Sequence, residues 1–299
     1  MEKRFDVIAM GELLIDFTMN GQSEQGNNLF EACPGGAPCN VLAMLNKLGK
    51  KTAFLGKVGD DQFGRLLRDT ISSAGIDASN LLTDDEVNTT LAFVHTFPDG
   101  DREFSFYRNP GADMMLREEE VEEDFIRQAR LFHFGTLSMT HEEVRKATKK
   151  ALKAAKDNGL LVSFDPNLRP PLWSSLDLAK EQMEYGFQYC DILKISDNEI
   201  QFVSGKEDYD EGIQYLQEKY FTGATFEGET LENLNSLMEQ LELRGISLRN
   251  PASATKPDGV ETVDMSGMMS LTLEDLVNNS CKSGAFIVYR GKPVSFSYR

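Results

Sequence analysis

The sequence predicts an α/β protein built on a doubly wound, mostly parallel sheet with a small β appendage. Short apolar runs alternate with stretches of helical periodicity, and one pair of β-rich runs flanks a Pro-Asp-Gly turn inside that alternation. The scale agrees. At 299 residues, with 40% hydrophobic side chains, the chain can bury the core of one large domain with a smaller appendage.

Phe5–Met10 is short, apolar and closed by Gly11, which predicts a buried strand. A second strand is expected over residues 13–17, before a polar stretch through residues 20–28. Pro34, Gly35, Gly36 and Pro38 then break the chain, and Val41, Leu42, Met44, Leu45 and Leu48 recur at helical spacing. A strand follows at residues 52–55 and a helix at residues 61–73, with Asp61 placed to cap it. Residues 91–97 and Arg102–Tyr107 are joined by Pro98-Asp99-Gly100-Asp101, the composition of a hairpin.

From Glu118 a charged helix is expected to lead into a strand at residues 131–134, where His133 reads as a core histidine. A Lys/Ala-rich helix over Glu142–Asp157 stops near Gly159. A strand at residues 160–164 runs into Asp165-Pro166-Asn167. A helix spans Leu176–Tyr189, and the strand Ile192–Ile195 ends in an acidic turn at residues 196–199. Residues 229–243 have the pattern of an amphipathic helix, whereas residues 249–270 show no period and read as a long loop.

The charge balance excludes some partners. With 48 Asp and Glu against 31 Lys and Arg the net charge is −17, which opposes non-specific binding to nucleic acid or to an anionic membrane. A phosphorylated ligand stays compatible, because helix N-termini and a few cations bind phosphate locally. Cys33, Cys39, Cys190 and Cys281 are scattered and form no CxxC pair, so free thiols in a reducing compartment are expected. His95, His133 and His141 lack metal-ligand spacing. The first residues alternate charge with apolarity too soon for a signal peptide, and no long apolar run occurs, so a cytoplasmic location is expected.

Three segments carry candidate chemistry. In Gly11-Glu12-Leu13-Leu14-Ile15-Asp16-Phe17 a carboxylate ends an apolar strand, as a sugar-hydroxyl acceptor or as a solvated strand end. In Pro34-Gly35-Gly36-Ala37-Pro38-Cys39-Asn40 the paired glycines fit either a close ligand approach or a tight strand-to-helix turn, and Asn40 offers both a donor and an acceptor. Gly56-Lys57-Val58-Gly59-Asp60-Asp61-Gln62-Phe63-Gly64 couples a glycine turn to a helix start. No GxGxxG follows the first strand, which argues against dinucleotide oxidoreduction.

In this order and spacing the three segments resemble the N-terminal signature of the ribokinase/fructokinase (PfkB) family of sugar kinases. The resemblance runs on through the hairpin into Tyr107-Arg108-Asn109-Pro110-Gly111-Ala112-Asp113, then Ser163-Phe164-Asp165-Pro166-Asn167-Leu168-Arg169 and Lys194-Ile195-Ser196-Asp197-Asn198-Glu199. It covers residues 5–220, and its Phe-Tyr-Arg and Asp-Pro-Asn-Leu-Arg elements lean toward the fructokinase branch.

The resemblance implies a single ribokinase-like α/β domain over residues 1–299, a lid formed by residues 12–34 and 88–112, and an atypical nucleotide-side region over residues 221–299. The activity implied is transfer of the γ-phosphoryl of ATP to the primary hydroxyl of a sugar, fructose above others, with a nucleoside or another small alcohol as a further substrate class. Carried over position by position, Asp16, Gly35, Gly36 and Asn40 would hold sugar hydroxyls, and Arg108 with the hairpin would close over the sugar and exclude water. Asn167 and Arg169 would face the sugar and phosphates, Lys194 the phosphates, and Glu199 would help place hydrated Mg²⁺. Ser196 stands where the family has Asn. A monovalent cation as a further cofactor and a homodimer paired through lid strands are also implied.

The family's Gly-Ala-Gly-Asp turn, whose Asp takes the hydroxyl proton, has no intact copy here. Two remnants compete for its place. Thr222-Gly223-Ala224-Thr225-Phe226-Glu227-Gly228 lacks the Gly-Asp pair, and Val263-Asp264-Met265-Ser266-Gly267-Met268-Met269-Ser270 sets Ser270 in the position of the base. Asn279, near the end of the chain, matches the adenine side. A catalytically impaired sugar- or nucleotide-binding protein on the same fold therefore stands beside the kinase reading.

Overall fold

The computed structural model describes residues 3–96, 102–220, 286–289 and 292–294. The helix expected at residues 229–243 and the loop expected at 249–270 lie outside them. The chain divides into two units: the first comprises Met1–Val162 and Asn167–Gln182, the second Ser163–Pro166 and residues from Met183 onward.

In the first unit the run Phe-Asp-Val-Ile-Ala-Met forms β1 (Phe5–Met10), as its apolar character predicts. Next come β2 (Leu14–Gln22), β3 (Asn28–Gly35) and α1 (Ala37–Lys47). Then follow β4 (Thr52–Gly59), α2 (Gln62–Ser73), β5 (Asp77–Asp84), β6 (Leu91–Thr96) and β7 (Arg102–Tyr107). After short 3₁₀ turns and α3 (Glu123–Ile126) come β8 (Ala129–Gly135) and α4 (Glu142–Asp157).

Strands β8, β1, β4 and β5 lie side by side in that order, all parallel. Val7 and Ala9 of β1 pack into a core with Leu42 of α1 and with Leu67 and Ile71 of α2. Ile8 and Met10, on the opposite face, are also fully buried. A parallel sheet covered on both faces needs such continuous apolar strands, which is why the sequence shows them as uninterrupted runs. The same burial encloses His133 within β8, as expected of a core histidine.

Strands β3, β2, β6 and β7 form a separate four-stranded sheet in that order. β2 pairs antiparallel with β3 and β6 antiparallel with β7, while the central pair, β2 with β6, is parallel. β3 falls in and beyond the stretch read as polar. It is an edge strand with four exposed residues at its start and Pro34 near its end, and an edge tolerates charge and proline that a central strand does not. Helix α1 starts earlier than its periodicity indicates, because Pro38 sits in the first turn, where no amide donor is required. Asp61 caps α2 as expected, accepting from the Gly64 N–H at 2.7 Å.

β9 (Leu161–Asp165) and α5 (Leu176–Tyr189) each have residues in both units, and the second unit continues with β10 (Ile192–Ile195), α6 (Asp197–Ser204), α7 (Tyr209–Tyr220), β11 (Phe286–Tyr289) and β12 (Lys292–Val294). β10 pairs parallel with β9 and antiparallel with β11, which pairs antiparallel with β12. The Phe164 and Phe187 rings meet edge to face at 5.7 Å between centroids. The acidic turn expected at residues 196–199 is the first turn of α6, with Ser196 as its N-cap. No helix among the described residues is long and apolar enough to cross a membrane.

Candidate active site

The parallel strands of the first unit deliver their carboxyl ends to one region of chemistry, the usual place for a site in such sheets. β1 leads into Gly11-Glu12 and then into β2, which carries Asp16. Across the ladder Asp16 is paired with Cys33 on β3 and lies beside Ala92 of β6. Side chains alternate faces along a strand, so the register places Thr18, Cys33, Ala92, Phe104 and Phe106 on the face of Asp16. Asp16, Cys33, Phe104 and Phe106 are each half-buried. The face thus offers a hydroxyl acceptor beside aromatic surface.

Gly35 and Gly36 are required there. A Cβ on Gly35 would lie 2.4 Å from Asp16 Oδ2, so the carboxylate rests against a bare Cα. Gly36 has φ of 128°, and a Cβ there would lie 2.4 Å from the Glu12 carbonyl oxygen. The turn enters α1 directly, and the Asn40 N–H donates to the Gly36 carbonyl at 3.0 Å. Asp16, Gly35, Gly36 and Asn40 are therefore brought together around one turn.

Glu12, which the motif reading passed over, is the other side chain at this turn. It is 3% exposed, and its Oε1 accepts the Ala37 N–H at 2.8 Å. Gly36 has no side chain to cap α1, and Glu12 supplies the missing acceptor from a distant strand end. Burial pushes the Glu12 carboxyl up to about 7, against the lowering pull of its own N–H and that of Ala37; Asp113 adds to the rise and Arg108 opposes it. Burial also holds the Cys39 thiol well above its ordinary range, with Glu12 nearby adding to the effect. At Cys33 burial again raises the thiol, followed by Glu31.

Arg108, expected with the hairpin to close over a sugar, is held by groups of the unit's body. It is 6% exposed; its Nε donates to Asp113 Oδ2 at 2.8 Å, its Nη1 to Thr140 Oγ1 at 2.9 Å and its Nη2 to the Leu137 carbonyl at 2.9 Å. Asp113 also accepts from Thr90 Oγ1, at 2.5 Å. Arg108 thus anchors the end of β7 and the start of β6 in the body of the unit. One residue earlier, Thr89 donates through its N–H and its hydroxyl to Asp61, at 2.7 and 2.8 Å.

Asn167 is the one non-glycine residue with positive φ among the described residues, at 46°. Asn tolerates this left-handed geometry better than most residues, and such backbone strain gathers at functional sites. Arg169 lies with its guanidinium carbon 5.9 Å from the centre of the Phe104 ring, which brings a cation to the face of Asp16.

In the second unit Lys194 Nζ lies 3.2 Å from Asp165 Oδ2, so its charge is paired within that unit. Glu199 is buried, and its Oε2 accepts the Ser196 N–H at 2.9 Å in a capping box. Part of the carboxylate expected to help place Mg²⁺ is therefore committed to its own helix. The pattern Ser-x-x-Glu ahead of an apolar run is a signal by which that role is readable. Among the described residues no group of three or more His, Cys, Asp or Glu side chains is placed to hold a metal. Gly223, Ala224, Gly267, Ser270 and Asn279 lie outside the described residues.

Comparison with known proteins bears on the family and the fold. Residues 4–226 match the pfkB family of carbohydrate kinases. Probable fructokinase-5 of Arabidopsis thaliana is 44% identical over 200 residues, 66% of this chain and 62% of that protein. Fructokinase-2 of Solanum lycopersicum is 44% identical over 207 residues, 69% of this chain and 63% of its own length. The chain thus spans less than two thirds of these relatives. Among solved structures, the fructokinase of Xylella fastidiosa with bound ATP is 32% identical with a TM-score of 0.64, covering 72% of this chain and 69% of that one. The α/β architecture is the ribokinase-like one. With the match running from β1 past the end of α7, the chain belongs to the pfkB family of carbohydrate kinases.

Proposed function

We propose that the chain binds a sugar on the Asp16 face and transfers the γ-phosphoryl group of ATP to its primary hydroxyl, with fructose as the substrate. The observation that carries this is the contact of the Asp16 carboxylate with Gly35 at a turn that leads straight to Asn40. Two hydroxyls of a polyol can donate to such a carboxylate, and Asn40 can both donate and accept. The family match over residues 4–226 holds this turn, and the fructokinases among the relatives support fructose over other sugars.

In the proposed reaction the sugar oxygen forms a bond to the γ-phosphorus, the bond to the β–γ bridging oxygen breaks with ADP as the leaving group, and the hydroxyl proton passes to an oxygen of the transferred phosphoryl group. The residues here act by positioning. Asp16 and Asn40 fix the hydroxyls, the four-stranded sheet excludes water as a lid, and Asn167 and Arg169 direct the phosphate side. Lys194 and Glu199 are proposed for the nucleotide side in the second unit. Bound with ATP, Mg²⁺ would neutralise phosphate charge; the lack of a protein ligand cage among the described residues fits a cation held mostly by phosphates and water. The free thiols of Cys33 and Cys39 accord with a cytoplasmic location. Exposed Met19, Leu29, Phe30 and Tyr107 on this sheet are the proposed contact with a second copy, and a monomeric mass in sedimentation would sink that part.

A second reading is favoured by one observation. No Gly-Ala-Gly-Asp occurs in these 299 residues, so the proton acceptor of the family is not recognisable. A protein that binds sugar without turnover would have this composition. ADP release with ATP and Mg²⁺ across fructose, ribose, glucose and no sugar separates the readings, alongside a melting shift with the same sugars. Fructose-dependent ADP release is expected, falling at least about a hundredfold in Asp16→Ala. A sugar-dependent melting shift without ADP would establish the binding protein instead, and no response to any sugar would overturn both.

A further inference from the structure

The turn from Gly35 to Ala37 is gripped from two sides. Asp16 Oδ2 rests against Gly35, while the Glu12 backbone carbonyl abuts Gly36 and the Glu12 side chain accepts the Ala37 N–H. Glu12 is buried, at 3% exposure. The titratable and charged groups that face it are Cys39 from α1, Asp113 from the 3₁₀ turn after β7, and Arg108 from the end of β7. A glutamine would offer the same carbonyl acceptor to Ala37 without burying an ionisable group. What glutamate adds is charge at the N-terminus of α1, where a negative charge strengthens the cap and the helix dipole favours it.

We infer that Glu12 is a positioning residue for sugar recognition: the charge on its carboxyl sets how firmly the turn from Gly35 to Asn40 is held beside Asp16, and with it the affinity of that face for its sugar. This rests on the reading of the Asp16 face as the sugar site. Ionised, Glu12 makes a charge-assisted bond that fixes Ala37 and the first turn of α1, and Asn40 with it. Protonated, it makes a weaker bond, and the neighbouring Asp113 is relieved of repulsion at the expense of the turn. Burial brings this exchange into the neutral range rather than the acid range usual for a carboxyl.

The test is fructose binding by calorimetry on the full chain between about pH 6 and pH 8, for the wild type and Glu12→Gln. The wild-type Kd should weaken by about tenfold toward the acid end, and the Kd of Glu12→Gln should stay flat over the same range. In parallel, the backbone amide signals of Ala37 and Asn40 should titrate together in the wild type with a midpoint in the neutral range, and not in Glu12→Gln. A purely structural role would shift the Kd of the variant equally at every pH and leave the wild-type profile flat, which overturns the inference. Amide titrations that persist in Glu12→Gln overturn it as well. Failure of the wild type to bind fructose at any pH would instead remove the sugar reading, and the amide titration then decides alone whether Glu12 governs the turn. That wild-type titration stands even if the variant does not fold.

Discussion

The two hairpins of the four-stranded sheet are rooted in the parallel sheet by different chemistry. At the β6–β7 root, Asp61 accepts three hydrogen bonds from Gly64 and Thr89, and Asp113 is closed in a buried pair with Arg108. Burial acts to raise the Asp61 carboxyl, yet the Thr89 and Gly64 donors outweigh it, and the group lies below its ordinary value. At the β2–β3 root the Ala37 N–H donates to Glu12, and there burial wins. Depth of burial and donor count decide together: Glu12 is 3% exposed and accepts its own N–H and that of Ala37, whereas Asp61 is only half-buried and accepts three bonds. A carboxylate that loses water is kept ionised where several N–H and O–H groups replace it, and drifts toward the neutral form where few do. One root is therefore fixed at every physiological pH, and the other titrates.

The largest effect expected to break this contrast is Asp113→Ala. It strips Arg108 and Thr90 of their shared acceptor and leaves a buried cation unpaired, which should cost about 3–5 kcal/mol of unfolding free energy in denaturant titration. Next is Glu12→Gln. The wild-type carboxyl holds its proton to a higher pH in the native state than in the unfolded chain. Stability is thus fully present below the ordinary 4.5 and falls as pH rises to about 7, then levels. Removing the ionisable group should therefore raise stability above neutrality by up to about 3 kcal/mol and change little below pH 4.5. A melting temperature that moves equally at both pH values would contradict it. Smallest is Asp61→Ala, at about 1–2 kcal/mol for a lost cap. Its sign with pH is the reverse: a lowered carboxyl stabilises above its ordinary value and stops doing so as pH falls through the folded one. The variant and the wild type should converge in acid.

Much of the parallel framework is legible because its strands are apolar on both faces, so that β1 and β10 stand out with their observed ends. β3 is not, since an exposed edge strand with Glu31 and Pro34 carries none of the signals of a buried one. Asp16, Gly36 and Asn40 are legible through a motif whose spacing fixes a local turn. Glu12 stands in the same motif, but its role depends on an amide donor of a separate helix, and sequence shows no such partner. The partners of Arg108 are hidden for the same reason. Its position after the hairpin is readable, whereas Thr140 and Leu137, which hold it down, come from beyond β8.

The central pair of the small sheet is parallel, joining Ile15 to Leu91 and Thr18 to Val94. Parallel neighbours cannot be joined by a tight turn, and here the crossover is the whole run β3–α1–β4–α2–β5. The face that carries Asp16 is consequently a late product of folding. Its two halves leave the ribosome far apart, each a lone hairpin with little stability of its own, and they meet only once the intervening framework has closed the loop between them. Removing β6 and β7 alone would leave β8, β1, β4 and β5 to pair as they do, and would take away the central partner of the strand that carries Asp16.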